Sequence, residues 1–185
     1  MKALGPAELP ECFRLHNGFE LPTFPRVPGI EWEQPTIKLF GVEQRIPRLT
    51  HWYGEAAYTY SGARNAPELM PTWLHGIRES VQALTGAQFN SALLNCYRDG
   101  SDSVAWHADD EPELGESPTI ASLTIGAART FSIKRRSDGQ RWNVELGQGS
   151  LLVMAGESQR DYLHCVPKTS KPIGPRINIT FRWID

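Results

Sequence analysis

The sequence predicts one mainly β domain with a flanking helix, whose core is a jelly roll or a similar barrel. The chain has 185 residues, and at roughly 150 residues per domain this length fits a single domain. Its 16 glycines and 14 prolines favour turns and short strands over long helices. One helical pattern is followed, after residue 88, by a run of short strand patterns.

The first 35 residues are rich in proline, which removes backbone donors and restricts the preceding residue. We therefore expect an irregular wrap with one or two short helical turns, held to the body by apolar side chains such as Phe13 and Phe19. Over residues 36–60, apolar residues among polar neighbours predict extended segments.

The best helix pattern covers about residues 67–84. Apolar residues recur there at spacings of three to five and form one stripe: Leu69, Trp73, Leu74, Ile77, Val81 and Leu84. Gly86 is placed to end the helix, because glycine readily adopts the left-handed conformation of a helix C-terminus.

Short strands separated by turns are predicted over Phe89–Tyr97, Val104–His107, Ile120–Ile125, Thr130–Lys134, Trp142–Leu146, Leu151–Val153, Tyr162–Val166 and Arg176–Trp183. Asp138 and Gly139 predict a tight hairpin turn within this run, because Asp-Gly supplies the positive φ angles that such turns require.

Lysine and arginine total 19 against 21 acidic residues, so the net charge is −2, with a pI near 6.2. This excludes a strongly basic nucleic-acid-binding domain but leaves room for a local basic patch. Three cysteines without Cys-x-x-Cys spacing indicate a reducing compartment. With no signal-peptide pattern and no apolar block longer than Leu151–Ala155, we expect a cytoplasmic protein without a membrane segment. We also expect a monomer.

The sharpest motif is His107-Ala108-Asp109. On an extended strand, residues two apart point to the same face, so the imidazole and the carboxylate can converge on one ion. His164, on another predicted strand, supplies a third ligand. Two histidines and one carboxylate form the facial triad of non-haem Fe(II) oxygenases, which leaves positions open for a chelating cosubstrate and O₂. A structural histidine or a zinc site fits the same short pattern.

The last predicted strand alternates strictly. One face carries Arg176, Asn178, Thr180 and Arg182, and the other carries Ile177, Ile179, Phe181 and Trp183. Such a polar face can simply be solvated. Two arginines shortly after a candidate metal ligand also suit a small dicarboxylate, because arginine holds a carboxylate through two parallel hydrogen bonds. Asn95 and Tyr97 share a face on an earlier strand and can add neutral donors.

These motifs resemble the AlkB family of Fe(II)- and 2-oxoglutarate-dependent dioxygenases, which demethylate DNA and RNA oxidatively. The matching residues are, in order, Asn95-x-Tyr97, His107-x-Asp109-Asp110-Glu111, His164 and Arg176-x-Asn178-x-Thr180-Phe181-Arg182, and upstream Pro47-Arg48-Leu49-Thr50-His51-Trp52-Tyr53-Gly54 with Tyr60-Ser61-Gly62. The resemblance covers about residues 40–183. It implies a double-stranded β-helix (jelly-roll) core over 88–185, preceded over 1–87 by a helix-containing nucleotide-recognition extension and lid.

The resemblance also implies the roles of the site residues. His107, Asp109 and His164 bind the catalytic Fe(II), Arg176 binds the distal carboxylate of 2-oxoglutarate, and the other cosubstrate contacts come from Asn95, Tyr97, Asn178 and Arg182. The implied reaction couples 2-oxoglutarate and O₂ to succinate and CO₂, and it releases formaldehyde from 1-methyladenine and 3-methylcytosine. The expected function is repair of methylated DNA, single- or double-stranded, with RNA as a further substrate.

Contacts to the damaged base are expected at two further places. Glu111 is placed to accept a hydrogen bond from the exocyclic amine of a cationic methylated base, although it also fits a solvated acidic loop. An aromatic ring can stack on a base that leaves the duplex. Among Trp52, Tyr53, Tyr58 and Tyr60, the resemblance makes Tyr53 the first choice. At least one of Trp52 and Tyr58 is expected in the core.

The hairpin over residues 134–141 concentrates cations, and Arg135 and Arg136 are expected to contact phosphates unless they form an ordinary solvated tip. Residues 39–46 are a candidate for a wedge that fills the gap left by a flipped base. Two other functions stay open: a 2-oxoglutarate oxygenase acting on methylated RNA, a protein or a small molecule, and a non-catalytic metal-binding jelly-roll module.

Overall fold

A computed structural model describes residues 8–21, 29–39, 41–54, 58–60, 63–65 and 67–184. Within them the strands are β1 (Phe13–His16), β2 (Thr36–Leu39), β3 (Val42–Arg45), β4 (Leu49–Gly54), β5 (Tyr58–Tyr60), β6 (Ala63–Asn65), β7 (Ser91–Tyr97), β8 (Val104–His107), β9 (Ile120–Gly126), β10 (Arg129–Arg135), β11 (Arg141–Leu146), β12 (Leu151–Met154), β13 (Tyr162–Val166) and β14 (Arg176–Arg182). The helices are α1 (Thr72–Thr85) and the short α2 (Ser158–Asp161), with a 3-10 turn at Pro112–Leu114. No helix in these ranges is long and apolar enough to cross a membrane.

Two antiparallel sheets face each other and enclose the core. The larger has the strand order β1-β12-β9-β14-β7-β4, and the smaller has the order β11-β10-β13-β8. Ile120 and Met154 of the larger sheet pack with Phe131 and Ile133 of the smaller one in a single apolar cluster. This arrangement confirms the predicted jelly-roll core of a mainly β fold.

Helix α1 covers the outer face of the larger sheet. Leu74, Ile77 and Val81 are buried there in one cluster with side chains of the sheet. The helix ends where predicted, because Gly86 adopts a φ of 72° and donates its backbone N–H to the carbonyl of Gln82 at 2.8 Å.

The helix begins later than the apolar pattern indicated. It starts at Thr72 instead of near residue 67, because Glu68 is extended and forms a two-way backbone bridge with Gly54. Leu69 therefore lies outside the helix and is 77% exposed, and Leu84 near the other end is 48% exposed. The apolar stripe that packs on the sheet is shorter than predicted.

The N-terminal segment contributes a strand to the larger sheet. Residues 13–16 form β1 and pair with β12, in place of the expected irregular wrap with helical turns. Pro10 and Pro22 stand outside these four residues, so every residue of the strand keeps its backbone donor. At the opposite edge β4 pairs with β7, and the larger sheet thus draws strands from both sides of residue 87.

The strands predicted after residue 88 all form, with ends shifted by at most two residues. The hairpin between β10 and β11 turns at Gly139, whose φ is 74°. Local alternation and turn residues were sufficient to place these elements.

Candidate active site

Three metal-binding side chains meet between the two sheets. His107 ends β8 and lies directly across the strand pair from His164 of β13, with ring centroids 4.3 Å apart. Asp109 follows just beyond the end of β8. Ligand atoms of the three residues lie within 4.8 Å of one another, so the structure brings the predicted triad together. Two imidazoles and one carboxylate suit Fe(II).

Neighbouring groups orient these ligands. His107 Nδ1 lies 2.9 Å from the carbonyl oxygen of Ala105, which can only accept, so Nδ1 carries the proton and Nε2 faces Asp109 Oδ1 at 3.5 Å. Asp109 Oδ2 accepts a hydrogen bond from Arg182 Nη2 at 2.7 Å. The backbone N–H of Asp109 donates to Gln159 Oε1 at 2.9 Å. Arg182 therefore orients the carboxylate, and Gln159 holds the backbone that carries it.

The electrostatics of the triad favour the protonation states that bind a metal cation. Burial by itself raises the pKa of Asp109, but the Arg182 guanidinium, followed by His107, outweighs it and holds that pKa well below its usual value. Burial, followed by the charge of His107, lowers the pKa of His164 to about 3. At neutral pH Asp109 is ionised and His164 is neutral, which are the states that bind metal.

The polar face of β14 is buried, which removes the alternative of a solvated edge. Its side chains are at most 6% exposed: Arg176, Asn178, Thr180 and Arg182. Arg176 donates through Nη2 to Thr124 Oγ1 at 3.0 Å, and its guanidinium carbon lies 5.1 Å from the centroid of the Tyr97 ring. The buried Nε and Nη1 atoms of Arg176 have no hydrogen-bond partner among the described residues.

These two donors fit a small carboxylate. A buried guanidinium is costly unless its donors are satisfied, and burial, together with the positive charge of Arg129, lowers the pKa of Arg176. The pocket that Arg176 faces is continuous with the metal triad and is lined by Asn95, Tyr97, Val104, His107, Asp109, Ser122, Phe131, Met154, His164, Val166, Arg176, Asn178, Thr180 and Arg182. All five predicted cosubstrate residues line it.

The two asparagines of this pocket are held differently. Asn95 Oδ1 accepts a hydrogen bond from Arg48 Nε at 2.8 Å, which fixes the orientation of the amide. Asn178 Nδ2 donates to Ser122 Oγ at 2.8 Å and to the carbonyl of Leu123 at 3.2 Å. Both amide hydrogens of Asn178 are thus engaged within the sheet, and its Oδ1 accepts a hydrogen bond from Thr180 Oγ1 at 2.9 Å.

Strand β4 presents Trp52 and Tyr53 to opposite faces of the larger sheet. Tyr53 is 5% exposed and packs beneath α1 with residues such as Leu74, on the side away from the triad. The structure thus does not bring Tyr53 to the pocket, which corrects its choice as the base-stacking residue. Trp52 faces the other side, where it is buried with Leu93 and Leu114.

The predicted polar substrate contacts are not among the residues that line the pocket. Glu111 is half-buried directly before the 3-10 turn. Arg136 Nη2 lies 3.6 Å from Asp110 Oδ2, next to the metal-binding loop. Arg135 instead bends back on its own hairpin, with Nε 3.2 Å from Asp138 Oδ1. Of the two arginines, Arg136 is the one placed beside the site.

The remaining candidates fall partly outside the described residues. Tyr58 and Tyr60 lie on β5, but their side chains are outside the described part of the chain, as is Phe40 of the proposed wedge. The rest of the segment up to residue 45 belongs to the β2–β3 hairpin, where Val42 is 58% exposed, whereas Ile46 follows β3 and is buried.

Two residues that orient the site did not stand out in the sequence. Arg48 is only 4% exposed beside Asn95, and its place in the upstream block that matches the AlkB family was the available signal. Gln159 sits on α2, far along the chain from Asp109, and no motif marks it. Contacts of this kind depend on which loops meet across the two sheets.

The comparisons with known proteins agree with this geometry. The family model of the 2OG-Fe(II) oxygenase superfamily matches residues 28–182. Human alpha-ketoglutarate-dependent dioxygenase alkB homolog 3 is 41% identical over 167 residues, covering 84% of this chain and 58% of the relative. The DNA oxidative demethylase ALKBH2 of Arabidopsis thaliana is 38% identical over 184 residues, covering 84% of this chain and 59% of the relative. The chain belongs to the AlkB family.

This AlkB-family chain spans less than two thirds of the length of these relatives. The solved structure of OsALKBH1 matches it with a TM-score of 0.57 at 18% identity, over 75% of this chain and 78% of that one. At this identity the match confirms the fold alone. Fe(II), 2-oxoglutarate and O₂ are the cofactor and cosubstrates of the family, and the triad and the buried Arg176 fit them.

Proposed function

We propose that this domain oxidatively demethylates N-methylated bases in nucleic acid, with 1-methyladenine and 3-methylcytosine in DNA as its main substrates. The observation that carries the proposal is the meeting of the metal triad and the buried polar face of β14 in one pocket. When bound, Fe(II) with O₂ and 2-oxoglutarate supplies the oxidising power that hydroxylates an N-methyl group. The resulting hydroxymethyl group leaves the base as formaldehyde.

The protein's own part is to bind, orient and exclude water. Arg176 donates one hydrogen bond to Thr124 and binds the distal carboxylate of 2-oxoglutarate through its remaining N–H groups. Asn95 and Tyr97 contact the rest of the cosubstrate. Arg182 holds the Asp109 carboxylate in place. Because the pocket lies between two packed sheets, its walls exclude most bulk water and strengthen these polar contacts.

The rim of the pocket suits a cationic base. Asp110 and Glu111 follow the metal-binding Asp109 directly, and nearby carboxylates stabilise the positive ring of a methylated adenine or cytosine. Arg136, beside Asp110, is placed to contact the adjoining phosphate. In this proposal, residues before 88 recognise the nucleotide.

The test is a demethylation assay with Fe(II), ascorbate and 2-oxoglutarate on oligonucleotides carrying 1-methyladenine. Single-stranded DNA, duplex DNA and RNA of one sequence are compared in parallel, with His107→Ala as the matched control. We expect formaldehyde and demethylated base with DNA above the level of the control.

The other outcomes identify the competing functions. Turnover on RNA but not DNA would move the proposal to RNA. A visible charge-transfer band with Fe(II) and 2-oxoglutarate, without demethylation of any oligonucleotide, would point to a protein or small-molecule substrate. Metal binding without that band would indicate a non-catalytic module.

A further inference from the structure

The outer face of the smaller sheet carries an indole with two cations beside it. Trp106 of β8 is half-buried, with Lys134 Nζ 4.9 Å and the Arg141 guanidinium carbon 5.5 Å from its ring. The pocket is lined by the next residue, His107, but not by Trp106, whose side chain therefore points away from it. We call Trp106, Lys134 and Arg141 the Trp106 cluster.

The cations of this cluster have no acidic partner in the described part of the chain. The neighbouring hairpin arginines are committed, Arg135 to Asp138 and Arg136 to Asp110. No ion pair of Lys134 or Arg141 occurs within the described ranges, and both side chains reach solvent. Their charge is therefore available to an anionic ligand, while the net charge of the chain is −2.

We propose that the Trp106 cluster binds single-stranded nucleic acid outside the catalytic pocket, at a nucleotide flanking the target base. This inference rests on the proposed function. Two cations beside an aromatic ring suit a nucleic-acid strand, in which phosphates and bases repeat. The phosphates would pair with Lys134 and Arg141 while a base stacks on Trp106. The indole favours a nucleic acid over an acidic peptide, which offers charge without a ring to stack.

The position of the cluster supports this assignment. Trp106 and His107 are adjacent on β8, so the cluster lies one sheet thickness from the metal triad. Lys134 and Arg141 pair across the β10–β11 hairpin, and that hairpin continues to Arg136, which contacts Asp110 next to the metal-binding Asp109. A nucleic-acid strand with one base in the pocket would follow these cations around the edge of the smaller sheet.

The experiment measures the anisotropy of a fluorescein-labelled single strand of about 12 nucleotides, a length within the usual range of such sites. Trp106→Ala should weaken binding on the order of 10-fold, and Trp106→Phe, which keeps an aromatic face, should recover most of the loss. The double variant Lys134→Gln/Arg141→Gln should reduce the slope of log K against log salt by about 1.4, since each phosphate contact contributes about 0.7. Arg14→Gln, an exposed cation on β1, is the matched control.

The inference is overturned if both the Trp106→Ala protein and the double variant bind with wild-type affinity and salt slope. Because Trp106→Ala can disturb the sheet, the double variant Lys134→Gln/Arg141→Gln decides the case where the Ala variant is poorly folded. Polyglutamate that competes as well as unlabelled DNA would assign the surface to an acidic protein instead. Binding needs no turnover, so a failure of demethylation in the wild-type protein is seen separately from a failure of this site.

Discussion

At the scale of single residues, the two arginines of β14 have different roles. Arg182 is committed to the Asp109 carboxylate within the protein. Arg176 is equally buried but keeps two donors without partners among the described residues. Evenly spaced arginines on one face look equivalent in the sequence, and their neighbours distinguish the residue that orients Asp109 from the one that we propose to bind the cosubstrate.

Replacing Arg176 with methionine should weaken 2-oxoglutarate binding on the order of 30-fold or more, because truncating one partner of a buried charge pair costs at least about 2 kcal/mol. An anaerobic titration of the Fe(II) protein, followed by its visible charge-transfer band, measures the affinity. Without ligand, Arg176→Met should unfold no more easily than the wild type, since an apolar side chain replaces an incompletely paired charge. Wild-type affinity in this variant would contradict the assignment, and Arg14→Met is the control.

At the scale of elements, short segments between strands set the geometry of the metal site. Helix α2 has four residues and connects β12 to β13, yet its Gln159 is only 2% exposed and accepts the backbone N–H of Asp109. The loop between β7 and β8 is held by the buried carboxylate of Asp102, which accepts hydrogen bonds from Arg98. Each of these two segments precedes a strand that carries a metal-binding histidine, His164 on β13 or His107 on β8.

Replacing Gln159 with leucine should lower Fe(II) affinity about 10- to 100-fold, the range seen when groups that orient metal ligands are removed. Gln159→Glu keeps a carbonyl-type acceptor for the Asp109 N–H and should lose less. Anaerobic Fe(II) titration by calorimetry gives the affinities. Arg160→Gln, on the exposed side of α2, is the control, and equal affinities in the Leu and wild-type proteins would refute this role.

Asp102 should contribute to stability in a pH-dependent way. Its carboxylate accepts three hydrogen bonds from Arg98, one from the backbone and two from the guanidinium, at 2.8–2.9 Å. Asp102→Asn should destabilise the fold by about 1.5–3 kcal/mol, the usual contribution of hydrogen bonds to charged groups. Urea unfolding near neutral pH measures it, with Asp138→Asn at the exposed hairpin tip as the control.

The sign of the pH dependence follows from the same contacts. The hydrogen bond from Arg98, opposed by burial, lowers the pKa of Asp102 in the folded state. The carboxylate therefore stabilises the fold fully above its unfolded pKa of about 3.9, and this contribution is lost as the pH falls through the lowered folded value. The difference between wild type and Asp102→Asn should shrink on acidification, and a constant difference would contradict the prediction.

At the scale of the whole molecule, the site exists because two sheets face each other. The triad comes from the smaller sheet and the loop after β8, whereas Arg176 and Arg182 come from the larger sheet. Ligands that bridge these elements bind only the folded arrangement, so binding and folding are linked.

Fe(II) with 2-oxoglutarate, added without oxygen, should therefore raise the thermal stability. At 100 times the dissociation constant the gain is about 2.7 kcal/mol, which for a domain of this size corresponds to a shift of about 5–10 °C. Differential scanning calorimetry measures the shift. Asp109→Ala should lose it, and a shift of the same size in that variant would mean that the ligands bind elsewhere.

The sequence by itself determined the strands after residue 88, the hairpin at Gly139 and the candidate triad. These follow from alternation, turn chemistry and the order of motifs, which are properties of short stretches of chain. Asn95, Tyr97 and the four polar residues of β14 were placed on their faces by alternation alone, and all of them line the pocket.

Only the tertiary structure decided which face of each strand is covered, and by what. Alternation separates Trp52 from Tyr53, but the packing of α1 decides that Tyr53 lies in the core away from the metal. The hydrogen bonds of Asp109 with Arg182 and Gln159 likewise join segments far apart in the sequence. Local patterns cannot specify such contacts, because they arise only when the two sheets and their loops pack together.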